Sequence, residues 1–225
     1  MNFPQTGDYI DIHTHRGKPA PGIFIVESLM AHESATPKNV PGVAFTYGIH
    51  PWFLTENNQE QLLNSVRESV KSSEVIAIGE AGFDRLQGPS PEIQRRVFEE
   101  QVKLADEYNK PLIIHCVRAW EELLSVHKKL NPKTPWLIHG FRGTPELATQ
   151  LFLKGLYLSL WFDFALRPES SKLLKTLPKS RFFLETDGAD VDIKAIYDKV
   201  AADMDVELEE LKVIILSNFK EFFGR

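Results

Sequence analysis

The sequence predicts an α/β protein built as a barrel of eight parallel strands, and three observations predict it. Short apolar runs alternate with amphipathic stretches along the chain, the pattern of strands joined by crossover helices. The runs are continuously apolar rather than alternating, as strands covered on both faces are. There are eight of them, at 9–15, 23–30, 43–50, 75–79, 112–117, 136–141, 156–162 and 182–187, which favours closure over an open doubly wound sheet. The 225 residues suffice for one buried core, so we expect residues 1–225 to form a single domain.

The first two strand-helix units depart from the ideal pattern. The first run is followed by Arg16-Gly17-Lys18-Pro19-Ala20-Pro21-Gly22, too short and too rich in Pro and Gly for a parallel crossover, which usually takes about a dozen residues. The stretch between Met30 and Val43 is loop-like as well. The barrel is therefore expected to be abbreviated or distorted there, its first two helices missing. The second strand is displaced, antiparallel or crossed by a bare loop. The outer face of the first three strands then needs a cover, from residues 31–41 or from a second subunit.

The later connections read as helices. Residues 60–71 set Leu62, Leu63, Val66 and Val70 on one stripe, and 92–109 do the same with Ile93, Val97, Val102 and Leu104. Further helices are expected over 120–130, 145–154, 169–177, 192–204 and 207–223. Ser90-Pro91 and Thr144-Pro145 are good starts, each a capping hydroxyl followed by proline in the first turn.

Composition narrows the function classes. A formal charge of −5 argues against a protein that coats DNA, which would be basic overall. No apolar run is long enough for a membrane span, so no membrane partner is expected. The N-terminal residues lack the basic-then-apolar pattern of a secretory signal. The single cysteine, Cys116, fits a reducing, cytoplasmic setting and small core filling.

Chemistry gathers at the ends of the runs. The first ends Asp11-Ile12-His13-Thr14-His15, and residues two apart on a strand share a face. The fourth is followed by Glu80, the fifth ends near His115, the sixth carries His139 and the eighth closes on Asp187. In a barrel the C-terminal strand ends share one mouth, where catalytic groups sit. Four imidazoles and two carboxylates brought together suit divalent ions such as zinc, manganese or iron. Two ions can hold and deprotonate a water and stabilise attacking and leaving oxygens. Buried there without cations, the carboxylates would be costly.

These residues also carry a family resemblance. Asp11-Ile12-His13-Thr14-His15 resembles the opening strand of the amidohydrolase superfamily. Gly48-Ile49-His50-Pro51, Ile78-Gly79-Glu80-Ala81-Gly82-Phe83-Asp84, Ile114-His115-Cys116, Ile138-His139-Gly140-Phe141 and Leu184-Glu185-Thr186-Asp187 look like the TatD branch in its proper order. Gln94 to Gln101 with Pro111, and Ser217-Asn218-Phe219-Lys220-Glu221-Phe222-Phe223-Gly224, look like its later helical segments. The resemblance implies a (β/α)8-type TIM barrel holding two divalent ions, zinc, magnesium, manganese or iron. It implies that His13, His15, Glu80 and Asp187 hold the first, that Glu80 bridges to the second, and that His115 and His139 complete it. Asp187 would also take a proton from the attacking water, and His50 would touch substrate or a leaving oxygen, its bland alternative being to shape the turn before Pro51. Asp11 either supports the ligands or hydrogen-bonds within the barrel. Two departures stand out: His115-Cys116-Val117-Arg118-Ala119 replaces the usual His-x-Arg-Asp-Ala, and Gly188-Ala189 replaces a small residue and proline.

The resemblance implies a deoxyribonuclease acting on DNA or a small phosphodiester. Hydrolysis of another ester or amide, such as an aminoacyl-tRNA ester, is the second reading, and a non-catalytic metal-binding barrel the third; intact Glu80 and Asp187 argue against the third. Arginines follow the chemistry-bearing strands. Arg85, Arg118 and Arg142 are the candidates for phosphate contact, with Arg16 and Arg167 nearby in sequence and Trp52, Phe53, Trp120 and Phe162 available for stacking on bases.

Overall fold

In the computed structural model, which describes residues 3–33 and 35–224, the strands form one eight-stranded sheet in the order β1-β2-β3-β4-β5-β6-β7-β8. They are β1 Tyr9–Thr14, β2 Ile23–Met30, β3 Val43–Gly48, β4 Val75–Asp84, β5 Leu112–Val117, β6 Trp136–Phe141, β7 Tyr157–Leu160 and β8 Phe182–Leu184. The helices are α1 Gln59–Ser69, α2 Pro91–Tyr108, α3 Trp120–Leu130, α4 Pro145–Leu153, α5 Phe162–Ala165, α6 Ser170–Leu174, α7 Ile193–Met204 and α8 Leu208–Phe222. This is the strand order of a (β/α)8 barrel, as the sequence predicts. By contacts the chain divides into two compact units, Met1–Glu27, Val40–Ala44 and Ile138–Arg225 in one, Ser28–Asn39 and Phe45–Leu137 in the other.

In the first unit, β1 and β2 are parallel, with Tyr9 opposite Ile23 and Ile10 opposite Phe24. Of the three arrangements left open by the sequence, the strand is crossed by a bare loop, pinned where the Ile23 N–H donates to the Ala20 carbonyl at 3.1 Å. Among the described residues, β2 and β3 are joined by one short 3-10 turn, Ala31–Glu33; Ser34, inside the expected covering segment, lies outside them. The cover over Phe24 comes from the chain's last helix. Phe219 of α8 meets the Phe24 ring edge-on at 5.5 Å, with Phe3 on its other side at 6.5 Å. Tyr197 of α7 lies beneath β1, its hydroxyl donating to the Ile10 carbonyl at 3.1 Å and accepting the Ile10 N–H at 3.0 Å. At Phe24, then, α8 and not residues 31–41 supplies the cover. Following β8 back to β1 puts the last helices against the first strands, so β1 and β2 need no helices of their own.

In the second unit, β3, β4 and β5 run parallel; the α1 stripe is buried through Leu62, Leu63 and Val66, and the α2 stripe through Val97, Val102 and Leu104, with Phe98 buried beside them and Ile93, expected in the stripe, only half-buried. Lys110, after α2, donates through Nζ to the carbonyls of Val70, Ser72 and Val75 at 2.5, 2.9 and 2.5 Å, satisfying the end of α1.

Local expectations change at several element ends; β8, for one, stops at Leu184 within the run 182–187, and the helix expected over 169–177 is α6, Ser170–Leu174. The Ser90 side chain makes no cap bond to α2, whereas Thr144 caps α4 by accepting the Leu147 N–H at 3.3 Å. The run 156–162 overreaches: β7 stops at Leu160 and α5 begins at Phe162. The run 75–79 falls short, because β4 continues to Asp84.

Candidate metal centre and active site

In the second unit, β4 and β5 carry the chemistry. Alternation puts Glu80, Gly82 and Asp84 on one side of β4. Gly82 pairs with His115 in register, and a Cβ there would lie 2.0 Å from the His115 carbonyl oxygen, so only glycine lets β5 close against β4 at this point. His115 Nδ1 then stands 2.8 Å from Glu80 Oε1. His50 follows β3 and begins a 3-10 turn that Pro51 favours. The Trp52 N–H donates to His50 Nδ1 at 3.1 Å, which leaves the ring hydrogen on Nε2, 3.1 Å from the same Glu80 oxygen. Donor atoms of His50, Glu80 and His115 lie within 4.8 Å of one another. With its hydrogen on Nε2, His50 is a hydrogen-bond donor, and Glu80 and His115 are the ligand-ready pair. All three are buried.

Asp84 is a centre that sequence reasoning missed. Its Oδ2 accepts the Trp52 indole N–H at 2.6 Å and faces His115 Nε2 at 3.1 Å. Its Oδ1 accepts the N–H groups of Leu86 and Gln87 at 2.7 and 3.1 Å. Burial pushes this carboxyl up, but the hydrogen bonds from Trp52, His115 and Leu86 outweigh it and hold Asp84 below the usual carboxylate range. The signal was available: Asp84 is four residues past Glu80, on the same side of an extended strand.

In the first unit, His13 and His15 leave β1 on one side, and Asp187 follows β8. His13 Nε2 is 3.5 Å and His15 Nε2 3.8 Å from Asp187 Oδ1, and all three offer donor atoms within 4.8 Å of one another. Asp187 has a left-handed φ of 52°, and its N–H donates to the His13 carbonyl at 3.1 Å. Gly188 follows with φ of 73°, where a Cβ would lie 3.1 Å from His15 Cβ. Ala189 donates its N–H to the Thr186 carbonyl at 3.0 Å, a bond that the family's usual proline could not make. The His139 ring lies 4.3 Å from that of His13.

Two buried acids support this group. Thr186 gives Asp11 its hydroxyl at 2.5 Å and its N–H at 3.0 Å; burial pushes the Asp11 carboxyl up to about 7, with the Thr186 bonds opposing. Glu185, also missed from sequence, is fully buried and accepts the Gly140 N–H at 2.6 Å and the Ser159 hydroxyl, with His139 Nδ1 3.7 Å away. It anchors the backbone beside His139. Burial pushes the Cys116 thiol up to about 12, and it joins none of the candidate ligand groups among the described residues.

The donor chemistry fits divalent ions. Two imidazoles and a carboxylate in one unit, and a carboxylate with an imidazole in the other, match the nitrogen and oxygen sets that zinc and similar ions take.

The arginines are at the surface. Arg85 is half-exposed and paired with Glu122, its Nε 2.8 Å from Oε1. Arg142 lies 4.1 Å over the Trp161 ring. Arg118 is exposed just past β5, with φ of 52°. Trp52 and Phe53 are 43% and 40% exposed, Phe53 with one face stacked on His32 at 3.6 Å. No helix among the described residues is long and apolar enough to cross a membrane.

Comparison with known proteins agrees with this chemistry. The family model described as TatD related DNase matches residues 23–224. A Bacillus subtilis protein named as the uncharacterized metal-dependent hydrolase YabD is 29% identical over 195 residues, 78% of this chain and 75% of its own. The 3′-5′ ssDNA/RNA exonuclease TatD of Erwinia tasmaniensis is 35% identical over 148 residues, 63% of this chain and 56% of its own, so the match spans little more than half of that relative. Among solved structures, a TatD homologue from Escherichia coli shares the fold with a TM-score of 0.82 at 22% identity, over 98% of this chain and all of that one. Together with the match over residues 23–224, the histidine and carboxylate clusters lead to one conclusion: the chain belongs to the TatD related DNase family and is a metal-dependent hydrolase.

Proposed function

We propose that this hydrolase is a phosphodiesterase that shortens single-stranded DNA or RNA from the 3′ end, using two divalent ions. The observation that carries the reading is the His13, His15 and Asp187 cluster, three donors within 4.8 Å, in a family whose relatives include proteins named as 3′-5′ ssDNA/RNA exonucleases. One ion falls to that cluster. The second falls to Glu80 and His115, and the family resemblance adds His139 and a bridging role for Glu80. Imidazole-rich sets favour zinc or iron over magnesium. When bound, such ions supply Lewis acidity that activates water and steadies developing charge.

The chain's own groups supply the rest. Asp187 is 26% exposed beside two imidazoles, so its carboxylate is positioned to receive the proton of an attacking water. His50 donates a hydrogen bond from Nε2, suited to a substrate or leaving oxygen. Arg85, Arg118 and Arg142 are the cations for phosphates, and Trp52 and Phe53 the faces for bases. The lone Cys116 suits a reducing cytoplasm.

The test is a hydrolase panel on metal-reconstituted protein. We expect mononucleotides to be released stepwise from the 3′ end of a 5′-labelled single strand, with chelator abolishing release and manganese or zinc restoring it. Turnover of an aminoacyl ester with intact oligonucleotides would overturn the phosphodiester reading in favour of ester hydrolysis.

A further inference from the structure

We infer that Trp52 and Asp84 are positioning residues that give the two imidazoles beside Glu80 different tasks, making His115 a metal ligand through Nδ1 and His50 a hydrogen-bond donor through Nε2. The inference rests on reading Glu80 and His115 as part of an ion site. Trp52 reaches both rings. Its backbone N–H donates to His50 Nδ1 at 3.1 Å, so the His50 hydrogen lies on Nε2, the end facing Glu80 at 3.1 Å. A neutral ring in that state has no lone pair for an ion at Nε2. Its indole N–H donates to Asp84 Oδ2 at 2.6 Å, and that oxygen faces His115 Nε2 at 3.1 Å. Both His115 nitrogens face carboxylates, Nδ1 that of Glu80 at 2.8 Å and Nε2 that of Asp84 at 3.1 Å; an ion held between Nδ1 and Glu80 would displace any hydrogen there, and Asp84, which accepts, would keep the hydrogen on Nε2. With that ion bound, both rings would carry hydrogen on Nε2 and turn opposite ends toward Glu80.

Asp84 divides its oxygens between two tasks. Oδ1 holds the following loop through Leu86 and Gln87. Among the described residues, Oδ2 meets Trp52 and His115. Asp84→Asn keeps a carbonyl for the loop and replaces Oδ2 by an amide NH2, which donates where an acceptor is required. Trp52→Phe keeps the ring and the backbone N–H and removes only the indole donor. The half-exposed Trp52 ring also joins the surface to the ligand, since a base stacked on it would press on the residue that fixes Asp84.

The test uses the whole chain, stripped by chelator and titrated with Co²⁺ by absorbance, and the Zn²⁺-loaded form for long-range ¹H–¹⁵N histidine spectra. Supporting partners of metal-bound histidines typically contribute about 10–100-fold in affinity. We expect a loss of that size at the Glu80–His115 site in Asp84→Asn, a several-fold loss in Trp52→Phe, and Co²⁺ affinity within about threefold of wild type in His50→Gln despite low turnover. The Zn²⁺-loaded wild type should show His115 protonated at Nε2 and metal-shifted at Nδ1. Asp84→Asn binding Co²⁺ like wild type with an unchanged His115 spectrum would overturn the role of Asp84. Loss of an ion in His50→Gln would make His50 a ligand and overturn its role as donor. A wild-type chain that binds no ion would instead defeat the ion-site reading itself.

Discussion

Thr186 holds the Asp11 carboxylate with both its hydroxyl, at 2.5 Å, and its backbone N–H, at 3.0 Å. Asp11 stands two residues before His13, and Thr186 immediately precedes Asp187, so one hydrogen-bonded pair sets the distance between a histidine on β1 and the carboxylate after β8. The Thr186 hydroxyl also meets that of Thr14 at 2.9 Å.

Thr186→Val removes the hydroxyl while keeping the shape, leaving a buried acid short of a donor. We expect a stability loss of about 1–3 kcal/mol, read as a fall in Tm, and weaker ion binding at the His13–His15–Asp187 cluster. Thr186→Ser should recover most of both.

Asp187→Asn should retain the fold and lose turnover by about 10²–10⁴-fold, the usual worth of a positioned proton acceptor. Steady-state rates with metal content measured alongside decide it. Activity within tenfold of wild type at full metal content would place the base elsewhere.

Glu80→Ala should weaken binding of both ions if Glu80 is shared. Calorimetric titration of chelator-treated protein reads this as the loss of two binding events. Weakening of one event alone would confine Glu80 to the site with His115.

Tyr197→Phe breaks both bonds to Ile10 and should destabilise the chain by about 1–3 kcal/mol. Burial pushes the Tyr197 hydroxyl well above the usual phenol range, and burial with Glu221 pushes Tyr157 up to about 12. A raised folded pKa means the folded chain keeps a proton that the unfolded chain releases above about pH 10. Stability should therefore fall as pH rises from 10 toward 12, and less steeply in Tyr197→Phe. Denaturant midpoints across that range provide the measurement.

The Arg85→Ala and Arg142→Ala double variant should leave metal binding intact and flatten the salt dependence of oligonucleotide binding. Each lost phosphate contact is worth about 0.7 in the slope of log affinity against log salt for single strands. An unchanged slope would mean that Arg85 serves only Glu122, and Arg142 only Trp161.

Much of this was legible in the sequence because ligand chemistry and strand ends coincide. His13 and His15 could be placed together by alternation alone, and the apolar runs located all eight strands. Strand ends were harder, since they depend on neighbours. β4 reaches Asp84 because β5 pairs with it as far as Val117, and no local pattern encodes that partnership. Asp84 and Glu185 went unassigned for a related reason: each acts through groups from other elements, Trp52 and His115 for one, Gly140 and Ser159 for the other. The cover over Phe24 was misjudged because its partner, Phe219, is remote in sequence.

That remoteness bears on how the protein is made. Phe24 leaves the ribosome long before Phe219, by roughly ten to forty seconds at ordinary rates of about 5–20 residues per second. Through that interval the apolar back of β2 has nothing from α8 to rest against. The nascent chain must wait, shielded by chaperone or collapsed onto itself, until its final helix emerges. Translation stalled between residues 187 and 208 should therefore yield a species prone to aggregate, even though every metal-ligating residue has already been synthesised.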